Sequence, residues 1–153
     1  MTLHAFTDGA SRGNPGESGI GIIVKDAQGR TLASWHGYIG LSTNNRAEYE
    51  ALITLLERMP SISCDRLIIH SDSELMVRQL TGRYKVKDAG LRECHRRATA
   101  LLAAQRFTTV LRHVPRETNR DADRLANLAI DTHASIMADP SPLPLPGARG
   151  ESS

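Results

Sequence analysis

Short apolar runs separated by glycine-rich or polar turns characterise the first forty residues. Residues 2–8, 20–25 and 31–39 predict three strands, because β-branched and aromatic side chains are concentrated in them. The tetrapeptide 26–29 is typical of a hairpin turn, whereas the glycines within 9–19 predict a loop. The chain is therefore expected to open with three antiparallel strands.

Apolar side chains then recur at the spacing of an α-helix. They are Ala51, Leu52, Leu55, Leu56 and Met59. Thr43 or Asn44 is the expected N-cap of this helix, and Pro60 marks its end. The apolar run 67–69 predicts a fourth strand, which a right-handed crossover would place parallel to the first.

The second half of the chain predicts three more helices and a fifth strand. The helices are expected over about 73–80, 88–105 and 119–133, and the strand over 107–114. Asn119 is the expected N-cap of the last helix, with Leu125, Leu128 and Ala129 on its inner face.

Four of the seven prolines lie at alternate positions near the end of the chain, at Pro140, Pro142, Pro144 and Pro146. Such a run is incompatible with a helix or a central strand. We therefore expect a folded domain over 1–133, followed by a disordered, proline-rich tail over 134–153.

Composition narrows the class of protein. A length of 153 residues, with 40% hydrophobic and 24% charged residues, fits one globular domain. The two cysteines, Cys64 and Cys94, are far apart and form no C-x-x-C motif, which argues against a disulfide scaffold or a structural zinc site. No secretion signal and no membrane-length apolar run is visible, so we expect a cytoplasmic protein without a membrane partner.

Net charge gives little information by itself, since it is only +2. Between Arg83 and Arg97, however, six basic residues stand against two acidic ones. Clustered arginine and lysine are typical of phosphate-binding surfaces, although a solvated helix face has the same composition.

Four acidic residues lie near the ends of predicted elements or on a buried face. Asp8 ends the first strand, Asp72 follows the fourth, and Asp123 lies early in the last helix. Glu48 shares the apolar face of the first helix, where an unpaired carboxylate is costly. Taken singly, turn, cap and dipole roles explain the three aspartates; taken together, the four acids predict a site for Mg²⁺ or Mn²⁺.

The sequence around each of these acids resembles one of the four signatures of type 1 ribonuclease H. The strings are DGASRGNPG at 8–16, TNNRAE at 43–48, SDS at 71–73 and NRDADRLA at 119–126. Their order and spacing match over about residues 3–129. The absence of an inserted basic helix after Gly82 resembles the short form of the family.

The resemblance implies an α/β fold, a mixed five-stranded sheet of order 3-2-1-4-5 with the first three strands antiparallel and helices flanking it. It implies a metal-dependent endonuclease that hydrolyses the RNA strand of RNA–DNA hybrids and leaves 3′-hydroxyl and 5′-phosphate ends. Two Mg²⁺ ions act with the substrate, and Mn²⁺ is a substitute. We expect a monomer.

The same resemblance assigns roles to residues. Asp8, Glu48, Asp72 and Asp123 become metal ligands, with Asp121 as the alternative for the fourth place. A mobile histidine that assists catalysis or product release falls on His113, counted back from Asp123; Arg116 is the alternative.

Substrate-binding residues follow from the resemblance and from the basic stretch. Those expected near the cut are Gly9, Ser11, Gly13, Asn14, Thr43, Asn44 and Asn45. Those expected to hold the DNA strand away from the cut are Arg83, Tyr84, Lys85 and Lys87. Arg116 is a further expected substrate-binding residue. Two positions depart from the family: Leu41 stands where an arginine often binds a DNA phosphate, and Glu74 where a glutamine often contacts the groove.

Three alternatives remain open on the sequence. The first is another nuclease on the same fold, such as a junction resolvase, a transposase core or an exonuclease. The second is a nucleic-acid-binding domain without catalysis, although no acid of the set is missing. The third is a domain of a larger enzyme, against which we weigh the closeness of Met1 to the first strand.

Overall fold

Five strands form a single mixed sheet in the computed structural model, which describes residues 1–137. The strands are β1 (Thr2–Gly13), β2 (Gly16–Lys25), β3 (Thr31–Ser42), β4 (Arg66–Ser71) and β5 (Thr108–His113). The helices are α1 (Asn44–Arg58), α2 (Glu74–Leu80), α3 (Ala89–Ala104) and α4 (Arg120–Thr132), with 3₁₀ turns at Met59–Ser61 and Arg116–Thr118.

The strand order is β3-β2-β1-β4-β5. β1, β2 and β3 pair antiparallel, whereas β4 pairs parallel with both β1 and β5. The expected fold class is therefore confirmed. The main core lies between the sheet and α1, α2 and α3, while α4 packs against the opposite face, chiefly on β2.

The predicted loop over 9–19 is wrong. β1 continues to Gly13, and β2 starts at Gly16, so that only two residues form the turn. The glycines mark close backbone contacts: a Cβ on Gly9 would overlap the backbone of Ala47, and one on Gly16 would overlap that of Arg12. Glycine inside a strand is typical of places where another backbone approaches closely.

Of the two residues proposed as the N-cap of the first helix, Thr43 has that role. Its Oγ1 accepts a hydrogen bond from the Arg46 amide at 3.2 Å. Asn44 is the first helical residue. The apolar face expected from the helical spacing is fully buried, and its burial fixes α1 against β1.

Small residues bring α4 onto the sheet. Its buried side chains are Ala122, Ala126, Ala129 and Ile130. Leu128 is 41% exposed, so its predicted place on the inner face is wrong, and Leu125 is only half-buried. The physical reason is that the backbone of α4 lies directly on Gly19 and Gly21, a contact that admits alanine but leaves no room for leucine.

The folded part extends beyond the predicted end at residue 133. Ile136 forms a backbone bridge with His36 of β3, the Ser135 hydroxyl accepts from the Tyr38 amide at 3.1 Å, and Met137 packs against the core. Residues 134–137, predicted to belong to the disordered tail, thus cover the edge strand β3. The proline-rich remainder lies outside the described residues, and its disorder stays a prediction. Within residues 1–137, no helix is long and apolar enough to cross a membrane.

The α4 contact yields a stability prediction. A Cβ on Gly21 would lie 2.8 Å from the Ala126 nitrogen and still closer to the Ala122 carbonyl oxygen. We expect Gly21→Ala to lower the free energy of unfolding by about 3 kcal/mol, because the added methyl group has to displace helix backbone. Urea denaturation measures this, with Ser34→Thr at an exposed position of β3 as the control. A midpoint for Gly21→Ala equal to that of the control would contradict the contact.

Candidate metal centre and active site

Three carboxylates from three different elements converge beside β1. Asp8 belongs to β1, Glu48 to the second turn of α1, and Asp72 directly follows β4. One oxygen of each lies within 4.8 Å of those of the other two. Asp8 and Glu48 are each only 4% exposed. Such a group of oxygens has the chemistry of a site for a hard divalent cation.

Backbone geometry explains why these acids meet. In the parallel pairing of β1 with β4, Thr7 lies opposite Ser71, so Asp8 lies beside Asp72 at the point where β4 ends. The expectation that Asp8 ends its strand is wrong, because β1 continues to Gly13. The Gly9 amide donates a hydrogen bond to Glu48 Oε1 at 2.8 Å. Because a side chain at Gly9 would overlap α1, glycine at this position lets the helix bring Glu48 to the strand.

Asp123 lies beside this group rather than among its three converging oxygens. It is half-buried in the first turn of α4, and its carboxyl group is near enough to Asp8 to raise the pKa of Asp8. Asp121, the alternative for the fourth place, instead pairs with Arg124 at 2.9 Å. The geometry favours Asp123 as the fourth acid.

Burial and mutual repulsion dominate the electrostatics of the cluster. Burial raises the pKa of Asp8 from 3.8 to about 10, and the charges of Glu48, Asp72 and Asp123 add to the shift. Burial also raises the pKa of Glu48, and Asp72 adds to this, whereas the nearby Arg116 guanidinium lowers it. A proton or a cation bound among these carboxylates would therefore reduce their mutual repulsion.

Asn119 is the N-cap residue of α4, as predicted, but its side chain has other partners. It makes no capping hydrogen bond to α4. Instead, its Nδ2 donates to the Thr7 carbonyl at 2.8 Å and to Asp72 Oδ2 at 3.4 Å. Asn119 is 1% exposed and ties the start of α4 to β1 and to the acid that follows β4. No signal local to the sequence distinguishes this contact from capping.

With one exception, the residues expected near the cut form one surface, which we call the turn–helix surface. It consists of Ser11, Gly13, Asn14, Thr43, Asn44 and Asn45. Gly9 is instead buried against α1, which contradicts its predicted place on this surface. The Asn44 amide donates to Asn14 Oδ1 at 3.1 Å, and the Ser11 hydroxyl donates to the Ser42 carbonyl at 3.0 Å. The amide side chains of Asn44 and Asn45 are exposed. Since Glu48 lies one turn along α1, this surface adjoins the acid cluster.

His113 and Arg116 lie on the β5 side of the cluster. His113 is exposed and pairs with Ser71, the residue before Asp72. Arg116 lies in the turn between β5 and α4, near enough to Glu48 to affect its pKa. Both residues are close to the site without belonging to the group of three acids.

The basic segment between α2 and α3 is exposed. The side chains of Arg83, Lys85 and Lys87 are exposed to solvent, and that of Tyr84 is 46% exposed. The Arg78 guanidinium lies 5.4 Å from the centre of the Tyr84 ring, so the tyrosine has at least a structural contact.

The two positions that depart from the family differ in their surroundings. Glu74 pairs with Arg78 at 2.8 Å, which balances its negative charge. Leu41 is 79% exposed at the edge of the turn–helix surface.

The raised pKa of Asp8 predicts how stability depends on pH without metal. Because the folded-state pKa is above the unfolded value of 3.8, the stabilisation is complete below about pH 4 and is lost as the pH rises towards 10. In EDTA, we expect the melting temperature of the wild type to fall between about pH 5 and pH 8 more than that of Asp8→Asn, which becomes the more stable protein. Glu57→Gln, which removes an exposed carboxylate of α1, is expected to follow the wild type. Parallel curves for Asp8→Asn and the wild type would show that repulsion at Asp8 does not limit stability.

Comparison with known proteins agrees with this geometry. The model of a family described as reverse transcriptase-like matches residues 6–129. Ribonuclease HI of Halobacterium salinarum is 43% identical over 129 residues, 84% of this chain and 64% of that protein. Ribonuclease H of Methylococcus capsulatus is 32% identical over 148 residues, 85% of this chain and 90% of that protein.

A solved structure extends the likeness to three dimensions. LC11-RNase H1, crystallised in complex with an RNA/DNA hybrid, superposes with a TM-score of 0.81 at 41% identity, covering 86% of this chain and 98% of that one. The chain spans 64% of the Halobacterium protein and only 39% of a bifunctional protein of Mycobacterium tuberculosis to which it is 41% identical. The fold, the four sequence signatures and these matches agree, and the chain belongs to the ribonuclease H family, type 1, within the reverse transcriptase-like group.

Proposed function

We propose that this protein is a ribonuclease H that hydrolyses the RNA strand of RNA–DNA hybrids. The observation that carries the proposal is the convergence of Asp8, Glu48 and Asp72, with Asp123 beside them. The choice of substrate is supported by the similar LC11-RNase H1, which was crystallised in complex with an RNA/DNA hybrid.

Mg²⁺ is the proposed cofactor, with Mn²⁺ as a substitute. The donor set fits these ions, since it consists of carboxylate oxygens alone and lies within 4.8 Å. Asp8, Glu48, Asp72 and Asp123 would hold two ions together with the substrate. Bound there, the ions lower the pKa of a water molecule and stabilise charge on the phosphate.

The proposed reaction is hydrolysis of an RNA phosphodiester. The oxygen of water loses a proton and bonds to phosphorus, the bond from phosphorus to the 3′-oxygen breaks, and the 3′-oxygen takes up a proton. The products carry a 3′-hydroxyl and a 5′-phosphate. The protein's own contribution is to fix the four carboxylates on strand and helix backbone, so that little rearrangement is needed when the substrate arrives.

Recognition of RNA is assigned to the turn–helix surface. The 2′-hydroxyl is the systematic difference between the two sugars. Asn44 and Asn45 expose amide groups that both donate to and accept from a hydroxyl. Gly13 allows a close backbone approach, and Ser11, Asn14 and Thr43 complete this surface. Gly9, buried against α1, acts indirectly through its hydrogen bond to Glu48.

We assign binding of the DNA strand to the basic segment between α2 and α3. Residues beside β5 are assigned to substrate binding near Glu48 and to catalysis or product release. Arg83, Lys85 and Lys87 supply charge for phosphates, and Tyr84 a flat apolar surface for a sugar. Arg116 binds substrate near Glu48. His113 assists catalysis or product release from its exposed place beside Asp72. That the protein acts as a monomer in the cytoplasm, without a membrane partner, stays a prediction.

The activity is tested with an RNA–DNA hybrid labelled on either strand, alongside duplex DNA, duplex RNA and a four-way junction. We expect cleavage of the RNA strand of the hybrid alone, loss of activity in EDTA and recovery with excess Mg²⁺. Asp8→Asn and Asp72→Asn are expected to lower kcat by a factor on the order of 10³ or more, because each removes a charged metal ligand. Glu57→Gln is the control. Near wild-type turnover by either aspartate variant, or preferred cleavage of another substrate, would contradict the proposal.

The role of the basic segment is tested by salt dependence. Replacing both Lys85 and Lys87 with alanine is expected to flatten the slope of log affinity against log salt by about two units, one for each lost phosphate contact. KM rises while kcat changes little, since binding is lost equally in the ground and transition states. The measurement is hybrid binding across a salt series, with Ca²⁺ to block cleavage. The charge-matched control replaces both Arg66, at the start of β4, and Arg106, just beyond the end of α3, with alanine. A double variant with the wild-type slope and affinity would leave this segment without a role in binding.

A further inference from the structure

Asp123 is the acid of the set that α4 carries, and a neighbour on the same helix hydrogen-bonds its side chain. Asn127, one turn further along, donates from Nδ2 to Asp123 Oδ1 at 3.3 Å and to the Asp123 carbonyl at 3.0 Å. Asp123 is only half-buried, so packing alone leaves its side chain some freedom. We infer that Asn127 is a positioning residue that holds the Asp123 carboxylate towards the cluster, and that Arg12 fixes the orientation of Asn127.

Arg12 determines which end of the Asn127 amide faces Asp123. Its Nη2 lies 3.1 Å from Asn127 Oδ1. A guanidinium can only donate hydrogen bonds, so the atom that it contacts has to be the amide oxygen. The amide nitrogen is thereby directed to the carboxylate, where it donates. An amide in the opposite orientation would present its oxygen to a negative charge.

Arg12 is itself held by a second residue of the same helix. Its Nη1 pairs with Asp131 at 2.6 Å. Asp123, Asn127 and Asp131 are spaced by four residues, so they follow one face of α4. A single guanidinium on β1 thus contacts that face at two points, and the strand that carries Asp8 is linked through it to the helix that carries Asp123.

This inference rests on the proposed function, because it assigns Asn127 a part in metal binding. Groups that hydrogen-bond a metal ligand from outside commonly affect metal affinity or activity by about 10- to 100-fold. The competing explanation is purely structural: Asn127 simply bonds back to the helix carbonyl one turn earlier, as Thr81 and Thr132 do with Val77 and Leu128.

Two variants separate these explanations. Asn127→Asp keeps the shape and the oxygen that Arg12 contacts, but replaces the donor with a negative charge. Asn127→Ser retains a hydroxyl that can bond the Asp123 carbonyl, as the two threonines do, but is too short to hold the carboxylate as well. Thr132→Ala, which removes a side-chain bond to the helix carbonyl one turn earlier but contacts neither Arg12 nor Asp123, is the matched control on the same helix.

The experiment measures Mn²⁺ binding to the folded protein by the electron paramagnetic resonance signal of the free ion, together with kcat, KM and the melting temperature in EDTA. We expect Asn127→Asp and Asn127→Ser to weaken Mn²⁺ binding and to lower kcat, each by about 10-fold or more. Hybrid KM and the melting temperature of Asn127→Ser should remain near those of Thr132→Ala. Wild-type Mn²⁺ affinity and kcat in either Asn127 variant would overturn the inference, as would a loss in Asn127→Ser that merely follows a lower melting temperature. If the wild type itself cleaves no hybrid, the proposed function fails; cleavage by the wild type with no effect at Asn127 refutes the positioning role alone.

Discussion

Repulsion among buried carboxylates is the constraint on which the arrangement of this protein depends. Asp8, Glu48 and Asp72 hold oxygens within 4.8 Å of one another, and burial raises the pKa of Asp8 to about 10. A flexible chain would separate these charges. They stay together because each is attached to an element whose position is fixed by packing or pairing elsewhere: β1 and β4 by their parallel register, and α1 by its fully buried apolar face.

Close backbone contacts are the means by which the elements reach one point. At Gly9 the strand meets α1, and at Gly21 the sheet meets α4; a Cβ at either position would overlap helix backbone. Asn119 then joins the start of α4 to Asp72 and to the backbone of β1. Function depends on the same contacts, since a shift of either helix would move Glu48 or Asp123 away from the cluster while leaving the core largely intact.

Sequence patterns predicted the sheet, the helices and the acids because periodicity and the signature strings are local properties. Glu48 stood out as a carboxylate on an apolar helix face. Features that depend on distant contacts were not predictable in this way. The glycines of 9–19 fit a loop as well as a strand against which another backbone packs, and Asn119 fits a cap as well as a long-range tie. Leu128 was misplaced for the same reason, since only the approach of α4 to Gly19 and Gly21 shows that the helix backbone lies too close to these glycines for a leucine between them.

In the proposed function, Asp8, Glu48, Asp72 and Asp123 hold divalent cations against the RNA strand of a hybrid. A crystal structure of the Asp123→Asn variant, which should bind the substrate but cleave it slowly, with an RNA–DNA hybrid and Mg²⁺ tests it most directly. We expect Mg²⁺ to contact Asp8, Glu48 and Asp72 together with a phosphate of the RNA strand. We also expect the turn–helix surface to lie against the ribose hydroxyls beside that phosphate. A hybrid bound with the DNA strand at the cluster, or bound elsewhere with no cation on these carboxylates, would contradict it.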